Sequence, residues 1–305
     1  MEIPTEIVRS PPPATLAWVA RQFGPRAAVV RVRRLRNAWA AAMHAIDVVD
    51  GARRHRLVLR RWARTDLAPD PGVVETECAA LTLLARFDGV PVPRLVAADI
   101  AAEHTDAPAV LMTRLDGNDT LDPIDVDAWV DGLVHALHRI HAVTLPLDAL
   151  PAYRPWKHTF CAAPQWSNWP GAWERAITRT REPLPLLPAV LCHRDYWPGN
   201  VLWHGREVSG VVDWTHACRG PAAVDVAHCR RNLAVLFGLD IADDFADRYG
   251  PVPELATFDL LEAVTCGLEP HDVWRWHDAG RTDLTFEIMA ARVDEYVAAA
   301  ASQLA

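Results

Sequence analysis

The amino-acid sequence predicts an α+β protein with a small β-rich N-terminal lobe and a larger, mainly helical C-terminal lobe. Three observations carry that prediction. Residues 27–62 break into short apolar runs rich in strand formers, AAVVRV, AWAAAMHAIDVV and RHRLVLRRW, the pattern of strands joined by turns. Beyond residue 125 the apolar spacing turns helical, and from about 222 it stays helical to the end. The 305 residues are 50% hydrophobic, enough apolar surface for a large core or two smaller ones.

The elements follow in order. ATLAWVARQF (14–23) reads as a short helix closed by Gly24-Pro25. Asp50-Gly51 is a two-residue turn signal, so 38–62 reads as a β-hairpin. ETECAALTLLARF (75–87) has apolar residues at helical spacing and is stopped by Gly89 and the prolines of VPVPRLV, which leads into a further strand. APAVLMTRL (107–115) is a buried strand, closed by Asp116-Gly117. This places an N-terminal lobe at 1–114 and a C-terminal lobe at 115–305, with the connection at about 111–117. In the second lobe 125–143 is an amphipathic helix with Val130, Leu133, Leu137 and Ile140 on one face. A Pro- and Trp-rich stretch, about 145–188, surrounds the helix AWERAITRT. AVLC and NVLW bracket HRDYWPG, and EVSGVVDW pairs back onto NVLW across His204-Gly205. Three or four helical pieces complete the chain.

Composition narrows the function classes. No apolar run reaches the length of a membrane span, and the N-terminus MEIPTEIVRSPPP has no apolar core of a signal peptide. Six scattered cysteines without a CxxC pair read as reduced thiols, so a cytoplasmic chain is expected. A net charge of −8 makes nucleic-acid binding a poor expectation. Four serines and no GxSxG argue against a serine hydrolase. His135, His138 and His141 rotate gradually around a helix, so no metal site is expected there. The tryptophans at 156, 166, 169, 173 and 197 read equally as packing or as the lining of a substrate pocket.

The informative stretch is LCHRDYWPGNVLWHGREVSGVVDW (191–214). Asp195 is followed five residues later by Asn200, and thirteen after that by Asp213 at a strand end. A carboxylate accepts a proton from an attacking hydroxyl, and a carboxamide oxygen with a second carboxylate offers hard ligands to Mg²⁺. These are the parts of a phosphoryl-transfer centre: Asp195 as base, Asn200 and Asp213 as metal ligands.

The stretch HRDYWPGNVLW…VVDW…GPAAVDVAHCR closely resembles the aminoglycoside phosphotransferase and related small-molecule kinase family, whose fold is protein-kinase-like. The family's H-G-D-x-x-x-x-N is matched by His193, Asp195 and Asn200, with Arg194 in place of Gly; its metal Asp by Asp213-Trp214; its downstream Gly-x-x-x-x-Asp by Gly220 and Asp225. The resemblance implies a bilobal fold with a nucleotide-binding first lobe. It assigns Arg60 of LVLRRW to the nucleotide phosphates, paired with Glu77 and with Glu75 as the fallback, while Arg61 points to the opposite strand face. It also places the adenine on the backbone of LMTR, at Leu111 and Thr113. One departure stands out: RLRNAWAAAM, after the first strand, lacks glycine, leaving Asn37 as the residue most tolerant of the turn geometry that phosphate contact requires.

The expected activity is transfer of the γ-phosphoryl of ATP, or GTP, with Mg²⁺, to a hydroxyl of a small molecule. The acceptor stays open between an aminoglycoside-like antibiotic, which suits the negative net charge, and an amino alcohol, sugar or nucleoside. A protein acceptor is not expected, since only six residues separate Asp213 from Gly220. The competing reading is an idle kinase-like protein that binds nucleotide or metabolite and regulates a partner. The glycine-free loop favours that reading, and the intact Asp195/Asn200/Asp213 set opposes it.

Overall fold

Strand alternation organises the first part of the chain. β1 (Ala28–Arg34), β2 (Ala42–Asp50), β3 (Arg53–Arg61), β4 (Leu95–Asp99) and β5 (Ala109–Thr113) form one antiparallel sheet in the order β1-β2-β3-β5-β4. Leu57 and Leu59 of β3 enter a core with Ile46, Val48, Ala109 and Leu111, closed by Trp18 and Val19 of α1 (Pro13–Arg21). Each Val, Leu or Ile side chain among these contributes about 1.5–3 kcal/mol on full burial. Pro13 opens α1, where its missing N–H costs no helical hydrogen bond. The β2–β3 loop is Gly51-Ala52, one residue later than expected, because Asp50 still pairs with Arg53. Gly51 takes φ +60° at the first loop position, which a residue with a Cβ rarely adopts.

The structure, a computed structural model, describes residues 9–35, 41–63, 72–89, 91–144, 146 and 148–304. The chain divides into two compact units, Met1–Asp116 with Gly210–His216, and Gly117–Ser209 with Ala217–Ala305. The segment bearing Asp213 thus belongs to the first unit. That unit also holds α2 (Val73–Leu84), which packs beside β4 and β5.

Further along the chain, β6 (Asn118–Asp119) pairs with β8 (Val201–His204), which also neighbours β9 (Glu207–Val211); β7 (Val190–Cys192) pairs with β10 (Cys218–Gly220). β6 and β10 escape sequence reading because two or three residues carry no periodicity. α3 (Val126–His141) is capped by Asp125, whose carboxylate accepts from Ala128 N. α4 (Pro170–Arg179) follows the Trp-rich stretch. After residue 222 come five helices rather than three or four: α5 (Ala223–Phe237), α6 (Leu239–Tyr249), α7 (Leu255–Thr265), α8 (Val273–Asp278) and α9 (Phe286–Ser302). Gly238, at φ +101°, separates α5 from α6. Residues 223–236 of α5 are all buried, so no polar stripe marks where one helix stops and the next starts.

Buried Asp294 of α9 pins the Trp-rich stretch, accepting from Ser167 Oγ, Asn168 N and Trp173 Nε1 at 2.6, 2.6 and 2.9 Å. Trp166 and Trp173 pack edge-on against each other and against Phe160. None of the six cysteines forms a disulfide. Among the described residues no helix is long and apolar enough to cross a membrane.

Candidate active site

In the first unit the site grows from β3. Successive strand residues face opposite ways. Arg61 therefore points to Asp106 Oδ2 (2.5 Å) and Arg9 O (2.6 Å), while Arg60 points to the other face. There Arg60 Nη1 lies 2.8 Å from Asp213 Oδ1 and 3.3 Å from Glu77 Oε1 on α2, and Arg60 Nε contacts Met43 Sδ. Glu77, not Glu75, is the acid brought to Arg60, because two residues along a helix rotate the side chain well off that face.

Glu77 is 1% exposed, and its Oε2 has no hydrogen-bond partner among the described residues. Burial pushes its pKa up to about 7, against the pull of Arg60 and with the repulsion of Asp213 behind it. Asp213 goes the other way. Burial opposes its charge, but the Arg60 guanidinium, and hydrogen bonds from Arg60 and Thr215 Oγ1, hold it well below the usual carboxylate range. Asp213 sits at φ +65°, a left-handed conformation that costs a non-glycine residue about 1–2 kcal/mol. Trp214, fully buried, anchors the turn by donating to Val211 O.

The second unit supplies the other half of the predicted set. The loop after β7 is fixed by Asp225, fully buried on α5. Its Oδ2 accepts from His193 N (2.8 Å) and its Oδ1 from Arg194 N (2.6 Å); His141 Nε2 lies 2.9 Å from Oδ2 and His141 Nδ1 2.7 Å from Tyr249 OH. Burial raises the Asp225 pKa, and His141 and His193 outweigh it, so the carboxyl is held below its ordinary value. Arg194 occupies φ +69°, which accounts physically for glycine at this position in the resembling family. Its guanidinium lies over the Trp156 ring, 3.6 Å from the centroid.

Asn200, on the turn Pro198–Asn200, donates its Nδ2 to Asp195 O (2.8 Å) and Asp195 Oδ2 (3.0 Å). That spends the amide nitrogen and turns the acceptor oxygen to other use. Each unit by itself carries a hard oxygen donor of the kind Mg²⁺ takes: an ionised carboxylate at Asp213 in the first and a carboxamide oxygen at Asn200 in the second.

Other expected residues land differently. Leu111 lies mid-strand between β3 and β4 with its side chain fully buried in the core. Thr113 ends β5 half-buried; its backbone N–H already donates to Arg94 O, and its hydroxyl accepts from Arg94 N. Asn37 and half of the glycine-free stretch, residues 36–40, lie outside the described residues. His138 stacks on Tyr249 and His141 serves Asp225, so the three helical histidines do not converge.

The residue that sequence reasoning missed is His228. Its Nε2 lies 3.1 Å from Asp195 Oδ1, and its Nδ1 lies 2.8 Å from Glu262 Oε2. Its spacing held a signal: His228 follows Asp225 by three residues on one helix and shares its face.

Comparison with known proteins gives a consistent picture. The model of the phosphotransferase enzyme family matches residues 17–261. Homoserine kinase of Neisseria meningitidis is 33% identical over 125 residues, 39% of this chain and 41% of that protein. Homoserine kinase of Rhodopseudomonas palustris is 51% identical over 43 residues, 14% of this chain and 13% of that protein. The matches thus span well under half the length of these curated relatives. Among solved structures, a thermostable variant of an aminoglycoside phosphotransferase in complex with ADP and hygromycin B aligns with TM-score 0.57 and 16% identity, over 96% of this chain and 99% of that one. A macrolide 2′-phosphotransferase from Brachybacterium faecium aligns with TM-score 0.51 and 17% identity, over 92% and 97%. At these identities the likeness establishes the fold: an antiparallel-sheet N-lobe and a helical C-lobe of the aminoglycoside phosphotransferase kind.

Proposed function

The chain belongs to the phosphotransferase enzyme family, and from that premise we propose that it transfers the γ-phosphoryl group of ATP to a hydroxyl of a small molecule that also bears an amino group. The observation that carries this reading is Arg60 Nη1 set between Glu77 and Asp213. That arrangement holds a permanent cation where triphosphate charge needs neutralising. Asp195 accepts the proton of the acceptor hydroxyl as its oxygen attacks phosphorus. Asn200 and Asp213 would hold Mg²⁺, which when bound supplies charge neutralisation on the phosphate oxygens. Arg60, positioned by Glu77, contacts phosphate. Most of the rate enhancement in such transfers comes from alignment and electrostatic stabilisation.

An amino-bearing acceptor is supported from two sides. The curated relatives are named homoserine kinases, one structural relative holds hygromycin B, and the net charge of −8 favours cationic ligands. The test is phosphate transfer from Mg·ATP and Mg·GTP to a panel containing homoserine, hygromycin B and a macrolide. The expected result is turnover on an amino-bearing alcohol that disappears in Asp195→Asn. Nucleotide binding with no transfer to any acceptor or to water would overturn the reading in favour of an idle nucleotide-binding protein.

A further inference from the structure

We propose that His228 is a positioning residue for the transfer: clamped by Glu262, it grips one oxygen of Asp195 and leaves the other to face the acceptor hydroxyl. The proposal rests on the phosphotransferase reading above and adds to it a residue outside the expected set.

The geometry divides the two oxygens of Asp195. Oδ1 is 3.1 Å from His228 Nε2, and Oδ2 accepts from Asn200 Nδ2 at 3.0 Å. A carboxylate offers about four lone-pair sites, so Oδ2 keeps capacity for a proton. The Asp195 side chain is 33% exposed, whereas those of His228 and Glu262 are 11% and 4% exposed. Only Asp195 can reach a substrate, and the pair behind it acts through it.

Among the described residues, Glu262 from α7, Cys266 just past its end and Cys229 beside it on α5 are the ionisable groups other than Asp195 that face or neighbour His228. Burial disfavours the imidazolium, but the Glu262 charge, and hydrogen bonds to Asp195, Cys266 and Glu262, overcome it and hold His228 protonated well above its ordinary pKa. An imidazolium donates from both nitrogens, one to each carboxylate. Cys266 Sγ also donates to Glu262 Oε2, at 3.2 Å. The cluster therefore satisfies itself by hydrogen bonds.

In the transfer step the acceptor O–H bond breaks and its proton moves to Asp195 Oδ2. The acceptor oxygen bonds to the γ-phosphorus, and the bond from that phosphorus to the β,γ-bridging oxygen breaks to leave ADP. His228 keeps both protons throughout.

The test has two arms. In kinetics, with ATP hydrolysis as the readout and water as acceptor, His228→Gln is expected to lower kcat about tenfold or more while KM for Mg·ATP stays within about twofold. Glu262→Gln should give a smaller loss, and the His228→Gln/Glu262→Gln double variant should fall no further than His228→Gln, since Glu262 acts through His228. Thermal melting identifies any variant that fails to fold. An unchanged kcat in His228→Gln, with Asp195→Asn inactive, overturns the proposal and leaves the phosphotransferase reading standing. The second arm needs no turnover: nitrogen NMR of the full chain follows His228 protonation against pH. A lowered His228 pKa in Asp195→Asn, with the Glu262 pairing intact, supports the pairing, and an unmoved titration overturns it, whether or not the protein proves to be a kinase.

Discussion

Arg60 and Asp213, 153 residues apart in sequence, share a hydrogen bond of 2.8 Å, and the same guanidinium nitrogen is 3.3 Å from Glu77. One buried cation thus holds two acids from two other elements. Arg60→Met is expected to lower affinity for the Mg complex of a non-hydrolysable ATP analogue about tenfold or more, since a charge-assisted phosphate contact is worth about 1.5–3 kcal/mol. Titration calorimetry measures it, and unchanged affinity removes Arg60 from the phosphate site.

Glu77 gives the protein a pH dependence of definite sign. Its pKa in the folded protein, about 7, lies above the ordinary 4.5. Between those values the folded state holds a proton that the unfolded chain has released. Stability from this group is full below about pH 4.5 and declines as pH rises toward 7, by up to about 3 kcal/mol. Glu77→Gln should flatten that decline. Urea unfolding of both proteins at about pH 5 and about pH 7.5 checks it, and parallel pH profiles would contradict it.

Asp195 and Asp213 should separate chemistry from binding. Asp195→Asn is expected to lower turnover by about 10²–10⁴, the range of a general base, with Mg·ATP affinity preserved. Asp213→Ala should instead weaken Mg·ATP binding. Calorimetry and a coupled assay on the same preparations decide both, and normal turnover in Asp195→Asn excludes it as the base.

Asp225 is a stability residue. It is fully buried and accepts from two backbone N–H groups while pairing with His141. Asp225→Ala should cost about 3–5 kcal/mol, the penalty of breaking a buried pair. A loss of unfolding free energy of under about 1 kcal/mol by urea titration would contradict the anchor role.

Arg194 holds a left-handed backbone at φ +69° and stacks on Trp156. Arg194→Ala loses the stack and keeps the strain, whereas Arg194→Gly loses the stack and relieves it. The Gly variant should therefore be more stable than the Ala variant by about 1 kcal/mol. Equal melting temperatures would count against backbone strain at this position.

Sequence order alone was sufficient for what depends on neighbours along the chain. Strand alternation gave β2 and β3 and set Arg60 and Arg61 on opposite faces; helical periodicity gave α2 and α3; the spacing from Asp195 through Asn200 to Asp213 gave the candidate set. Tertiary structure alone decided what depends on distant contact: that Asp213 meets Arg60, and that His228 and Glu262 stand behind Asp195. The physical reason is range. Backbone periodicity is set by bonds and sterics within a few residues, whereas burial and charge pairing bring together groups such as Arg60 and Asp213 that no local pattern connects.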